Sequence, residues 1–157
     1  GGLDVGFIYL SSEHDYGLQR IALTQDYFFL ALPRAHPLAT KKRIHLRDLG
    51  NQRFIWLARS RKAYYSDALL KNCVEGGLAP NIIQEADSDA TALNLVAVGM
   101  GVSFVVSSKA ESALPDVILK PVIELKTALT LALAWNDATK SSLTENFIAT
   151  VEKIRNS

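Results

Sequence analysis

Short apolar or β-branched runs recur along the chain at residues 3–9, 27–32, 53–57, 81–85, 102–106 and 127–135, each bounded by turn formers such as Pro33, Pro80 or Gly101. They predict six strands. Between them the period lengthens to that of a helix. Residues 60–75 place Tyr64, Ala68 and Leu69 on one face and stop at Gly76-Gly77, a natural helix end. Residues 90–98 bring Leu93, Val96 and Ala97 together, with Asp87, Ser88 and Asp89 available as caps. A last helix opens on Ser142-Leu143-Thr144-Glu145, which reads as a capping box, and spaces Leu143, Phe147, Val151 and Ile154 along one face. Strands alternating with helices predict an α/β layered domain with a largely parallel sheet.

The alternation is uneven. Residues 27–122 hold enough strand–helix pairs for a compact α/β unit. The two ends supply only the first strand, the strand at 127–135 and the final helix. Two or three strands with one helix do not cover both faces of a sheet, so the ends are expected to form part of a second unit whose remainder is missing.

Composition narrows the class. The 157 residues are 48% hydrophobic and 21% charged, with seventeen Lys and Arg against sixteen Asp and Glu and a formal net charge of +1. This is globular composition. It carries no basic stripe for a phosphate backbone or an anionic membrane. No charged residue stands between Ala90 and Ser108, but Asn94, Gly99, Gly101 and Ser103 interrupt the run. A buried helix followed by a buried strand is expected there, not a span of about 20 apolar residues. The opening Gly1-Gly2-Leu3-Asp4 lacks the basic and apolar regions of a secretory leader, so a cytosolic chain, or one whose native start has been removed, is expected.

Reactive arrangements are sparse. Cys73, the single cysteine, lies late in a predicted helix and reads as a buried thiol, not as a nucleophile for His14, His36 or His45. The histidines have no metal-binding spacing, and Ser60, Ser107 and Ser108 have no nucleophile-elbow setting. Gly99-Met100-Gly101 closes a helix where a phosphate loop would open one, which argues against a nucleotide site. Arg59-Ser60-Arg61-Lys62 falls between a strand and a helix start. In a parallel α/β unit that edge forms the usual ligand crevice, and free amides with cationic side chains there favour a small anion. A solvated first turn is the alternative, as plain capping is for Asp87-Ser88-Asp89.

Several stretches together carry a resemblance: Leu3-Asp4-Val5-Gly6-Phe7-Ile8; Ala31-Leu32-Pro33-Arg34-Ala35-His36-Pro37-Leu38-Ala39; Ile44-His45-Leu46-Arg47-Asp48-Leu49; Phe54-Ile55-Trp56-Leu57; Leu95-Val96-Ala97-Val98-Gly99-Met100-Gly101-Val102-Ser103; and Leu131 to Trp135 with the final helix. In this order they resemble the effector-binding domain of LysR-type transcriptional regulators, along essentially the whole chain. The His-Pro-Leu-Ala and Val-Gly-Met-Gly-Val elements are the most specific. The resemblance implies a type 2 periplasmic-binding-protein-like α/β fold, with two α/β subdomains joined by two crossover strands around a small-molecule cleft. The crossovers fall near residues 22–29 and 122–130. The second subdomain is then 27–122, and the first is represented incompletely by 1–26 and 123–157. The family's N-terminal winged helix-turn-helix, linker helix and first two strand–helix units have no counterpart here.

The resemblance also implies an effector site. Tyr9, the turn Leu57, Ala58, Arg59, Ser60 and Arg61, and the segment Ala86, Asp87 and Ser88 would wall it. The helix start and an arginine would hold a carboxylate, while Tyr9 and Leu57 give apolar contact. The expected ligand is a small anionic effector, aromatic or aliphatic. No catalytic residue, metal or cofactor is implied. The expected partners are further copies of the regulator, as a dimer or tetramer in the full-length protein, and promoter DNA only through the absent helix-turn-helix. No membrane partner is expected, and the setting is cytoplasmic. A periplasmic solute-binding protein of the same fold is the alternative, and an enzyme such as a deaminase or dehydratase a more distant one.

Overall fold

A computed structural model describes residues 4–10, 17–112, 114–126 and 128–155, with the side chains of 61–64, 110–112 and 139 excepted. In chain order the strands are β1 (Val5–Tyr9), β2 (Gln19–Asp26), β3 (Phe28–Pro33), β4 (Arg53–Leu57), β5 (Asn81–Ala86), β6 (Val102–Val106), β7 (Val117–Pro121) and β8 (Leu129–Trp135). The helices are α1 (Arg59–Glu75), α2 (Asp89–Ala97) and α3 (Ser142–Arg155). The chain divides into two compact units, Asp26–Ala128 and Gly1–Gln25 with Leu129–Ser157.

The larger unit is built on a five-stranded sheet in the order β5-β4-β6-β3-β7. Phe54, Ile55, Trp56 and Leu57 of β4 are all buried, the continuous apolar run of a strand covered on both faces. Aromatic packing fixes its neighbours. The Phe54 and Phe104 rings stack at 5.5 Å, and Tyr65 of α1 meets Phe28 edge-on at 4.8 Å. Trp56 Nε1 donates to Ser66 Oγ at 2.8 Å, pinning α1 to the strand beneath it. The buried Ser103 hydroxyl donates to the Ile55 carbonyl at 2.8 Å, so a polar side chain in the core is satisfied.

The sheet is mixed, where the alternation predicts a largely parallel one. β4 runs parallel to β5 and β6, but β3 is antiparallel to both β6 and β7. Only Tyr27 separates β2 from β3, so β3 enters the sheet without a crossover helix to turn it. β2 and β7 have no prediction in the hydrophobic pattern. In β2 only Ile21, Leu23 and Asp26 point inward along an otherwise exposed strand, and β7 lies at the sheet edge with a single buried residue, Val117.

The helix faces also move. On α1 the expected Leu69 is buried, joined by Tyr65, Ser66 and Cys73, while Ala68 is half-buried; the Tyr64 side chain lies outside the described residues. On α2 the expected Leu93 and Val96 are buried, joined by Ala92 and Asp89. Both helices end as the glycines imply. Leu78 N–H reaches the Cys73 carbonyl and Gly77 N–H that of Val74, while Met100 reaches Leu95 and Gly99 reaches Val96. Both endings have the Schellman pattern, with Gly77 at φ +82° and Gly99 at φ +76°.

The His-Pro-Leu-Ala element and the His45–Leu49 segment after it are structural fasteners. His36 caps the 3-10 turn Pro37–Thr40: its Nδ1 accepts from Leu38 N–H at 3.2 Å, and its Nε2 faces Gln52 Oε1 at 3.0 Å. The Asp48 carboxylate accepts from His45 N–H at 2.8 Å and opens the next 3-10 turn, Leu46–Leu49, whose two leucines are fully buried.

The smaller unit holds a three-stranded sheet in the order β1-β8-β2, with β1 antiparallel to β8 and Tyr9 opposite Leu131. Ile21, Leu133 and Ile148 form its core, flanked by Val5, Leu23, Trp135 and Val151. Two expectations for α3 are corrected. The cap is Ser141, one residue earlier than the predicted box, with Oγ accepting from Thr144 N–H at 3.2 Å. Of the expected face only Val151 packs, beside Thr144 and Ile148, while Leu143 and Ile154 are 79% and 70% exposed. A stripe of apolar positions marks a possible face, and the strand surface available to the helix chooses the one used.

A Cβ at Gly101 would stand 2.5 Å from the Arg53 carbonyl oxygen, backbone that cannot step aside. Gly101→Ala is therefore expected to lower unfolding free energy by about 1–3 kcal/mol, read as a shifted midpoint in urea titration followed by far-UV circular dichroism.

Candidate functional site

The parallel register of β4 and β5 sets Leu57 opposite Ala86, and the Ala58 N–H donates to the Ala86 carbonyl at 2.9 Å. The two strands therefore end level. Their continuations, Ala58-Arg59-Ser60 and Asp87-Ser88, emerge side by side at the C-terminal edge of the sheet. Leu57, Ala58 and Ala86 are buried and form the floor; Arg59, Ser60 and Asp87 are exposed, and Ser88 is half-buried. In an α/β sheet this edge is where ligands bind.

The two helix starts on this edge differ in chemistry. α2 satisfies itself: Ser88 Oγ accepts from Thr91 N–H at 3.1 Å, and Asp89 places an acid in the first turn. α1 has Ala58 as its N-cap, with no side-chain cap bond and no acid in its first turn. Ala58 thus leaves the leading amides without a side-chain cap, and the positive end of the α1 dipole lies at this edge, a setting that favours an anion.

Arg59 does not reach over this edge. Its guanidinium turns along α1 to Asp67, two helical turns on, with Nε to Oδ1 at 2.8 Å and Nη2 to Oδ2 at 2.9 Å. The Arg59 guanidinium holds the Asp67 carboxyl below the ordinary carboxylate range, and Asp67 in turn raises Arg59. Both side chains are substantially exposed, so the pair is readily exchanged for another carboxylate. Asp67 is the residue that the sequence reading missed. The signal was the spacing of eight, which returns a long arginine to the same face two turns later.

Seven of the predicted residues, Leu57, Ala58, Arg59, Ser60, Ala86, Asp87 and Ser88, thus share one edge of the larger unit. Arg61 lies in the first turn of α1, and its side chain is outside the described residues. Tyr9, half-buried, ends β1 in the smaller unit. Of the residues weighed for other chemistry, His36 and His45 are engaged in turns, Ser107 and Ser108 bind Asp26, and His14 lies outside the described residues. Cys73 is fully buried, and burial pushes its thiol up to about 12. Among the described residues no helix is long and apolar enough to cross a membrane.

Comparison with known proteins gives one consistent result. The family model described as the LysR substrate binding domain matches residues 1–154. The transcriptional regulator TtuA of Agrobacterium vitis is 33% identical over 144 residues, which cover 89% of this chain and 47% of that protein. AlsR of Bacillus subtilis is 28% identical over 94% of this chain and 49% of its own length. The BenM effector binding domain, solved with its effector benzoate, superposes with a TM-score of 0.78 at 26% identity, covering 97% of this chain and 69% of that one. The chain spans about half the length of the curated relatives it matches. The fold is therefore the type 2 periplasmic-binding-like α/β fold of these effector domains, and the relatives are regulators of transcription, not enzymes.

Two outcomes check the local chemistry. Ser88→Ala is expected to cost about 1 kcal/mol of stability through the lost α2 cap, measured by thermal and urea unfolding. Cys73 is expected to resist iodoacetamide at pH 8 until the chain unfolds, so its labelling rate should track urea-induced unfolding and not bulk thiol reactivity.

Proposed function

The chain belongs to the LysR substrate-binding domain family, and from that premise we propose that it is the ligand-sensing module of a bacterial regulator that takes a small carboxylate at the β4–β5 edge. The observation that carries this reading is the level ending of β4 and β5 beside an α1 start without a side-chain cap. A carboxylate seated there accepts from the leading amides of α1 and from the Ser60 hydroxyl. Arg59 exchanges Asp67 for the ligand, Arg61 adds a second cation, and Leu57, Ala58 and Ala86 give the apolar part of the ligand a dry floor. Asp87 and Ser88 are proposed as the polar rim. That BenM was solved with benzoate supports an anionic ligand and favours an aromatic one. In the intact regulator, a homo-oligomer working in the cytoplasm, occupancy of this edge is proposed to change assembly geometry and so the engagement of promoter DNA by an N-terminal helix-turn-helix.

The test is calorimetry on the intact regulator with a panel of small aromatic and aliphatic carboxylates beginning with benzoate, each paired with its neutral amide. Binding of at least one carboxylate and not of its amide is expected. Arg59→Ala or Arg61→Ala should weaken it about 10-fold or more, and Asp67→Ala should strengthen it by freeing Arg59. Equal binding of acid and amide, or unchanged affinity in both arginine variants, overturns the carboxylate site.

A further inference from the structure

Asp26, the first residue of the larger unit, is 3% exposed. Its carboxylate is surrounded by donors from the end of β6. Ser107 Oγ donates to Oδ1 at 2.6 Å, Ser108 N–H donates to the same oxygen at 2.8 Å, and Ser108 Oγ donates to Oδ2 at 2.6 Å. The network continues into the backbone of the connection. Tyr27 N–H donates to Ser107 Oγ at 3.1 Å, and Ser107 N–H donates to the Tyr27 carbonyl at 2.8 Å. Burial raises the Asp26 carboxyl, but the bonds from Ser107, Ser108 and Tyr27 outweigh it and hold it below the usual carboxylate range. The carboxylate is thus buried as an anion, a state that persists only where hydrogen bonds replace its water.

The second connection also carries a carboxylate that holds a neighbouring segment, here at an exposed position. Val122 bridges Ile44, and Ile123 N–H donates to the Ile44 carbonyl at 3.0 Å. Glu124 then accepts from His45 Nδ1 at 2.9 Å and from Leu46 N–H at 3.0 Å. Leu125 is buried, and exposed Lys126 follows, shortly before β8 begins at Leu129. Each connection therefore meets the larger unit at a carboxylate that grips backbone N–H groups from another part of that unit.

We propose that Asp26 and Glu124 are paired clamps fastening both chain connections to the larger unit, so that bending of the connections falls on the Gln25 side of one and the Lys126 side of the other. The clamps isolate the β3–β6 ladder, and with it the β4–β5 edge, from strain in the connections. This rests on the hydrogen-bond geometry alone and stands whether or not the edge binds a carboxylate.

Amide hydrogen exchange resolved by NMR on the whole chain tests it. In the unaltered protein, Tyr27, Leu46 and Ser108 amides are expected to exchange at least ~100-fold more slowly than those of Lys126 and Ala128. Asp26→Asn should speed Tyr27 and Ser108 about 10-fold while the β3–β6 ladder changes less than about 3-fold. Glu124→Gln should do the same to Leu46 alone. Should Asp26→Asn unfold, Ser108→Ala, which keeps the carboxylate and the Ser107 donor, is expected to accelerate Tyr27 and residue 108 selectively. Uniform acceleration across the larger unit, unchanged Tyr27 and Ser108 exchange, or Lys126 and Ala128 as protected as Tyr27 overturns the proposal.

Discussion

Parallel pairing of β4 on both of its sides is the constraint on which the larger unit depends. A strand with parallel neighbours at both edges is covered on both faces, and Phe54, Ile55, Trp56 and Leu57 are 4% exposed or less. Parallel neighbours also require long connections. α1 supplies the one from β4 to β5, and its attachment through Trp56–Ser66 and Tyr65–Phe28 follows from lying over that strand. Because parallel strands end on the same side, the turns after Leu57 and Ala86 emerge together. The candidate site is a geometric product of the pairing.

Polar fastening complements that core. In the larger unit polar side chains tie one segment to another: buried Ser103 to the Ile55 carbonyl of the neighbouring strand, half-buried His36 to the turn at Leu38, and buried Asp26 to the turn after β6. Each of these three groups has its partner, as it must where water is excluded. α1 is the contrast. Its start lacks a side-chain cap, and its first-turn arginine pairs with an exposed carboxylate on its own helix.

Family membership and local chemistry answer different questions here. The match over residues 1–154 establishes the module. It leaves the ligand to the side chains at the edge, where Arg59 and Asp67 already form a carboxylate–guanidinium pair within one helix. In the proposed site, a carboxylate ligand would compete with that internal pair for Arg59.

Local signals were legible in the sequence wherever neighbouring residues decide the outcome. The glycine pairs ended α1 and α2 because only a residue tolerant of positive φ closes a helix in that way. Continuous apolar runs gave β4 and β6 because complete burial leaves no polar phase. Leu57, Arg59, Ser60 and Ser88 were legible as an edge because strand-to-helix turns carry their own composition. What lay beyond the sequence was every choice between equivalent local options. The Leu143–Ile154 stripe and the Thr144–Val151 face of α3 were both available, and the sheet beneath selected the less apolar one. The direction of β3, the burial of Asp26 against two serines 81 and 82 residues away, and the capture of Arg59 by Asp67 depend on which surfaces meet. Contacts distant in sequence leave no periodic trace, so only the tertiary structure decided them.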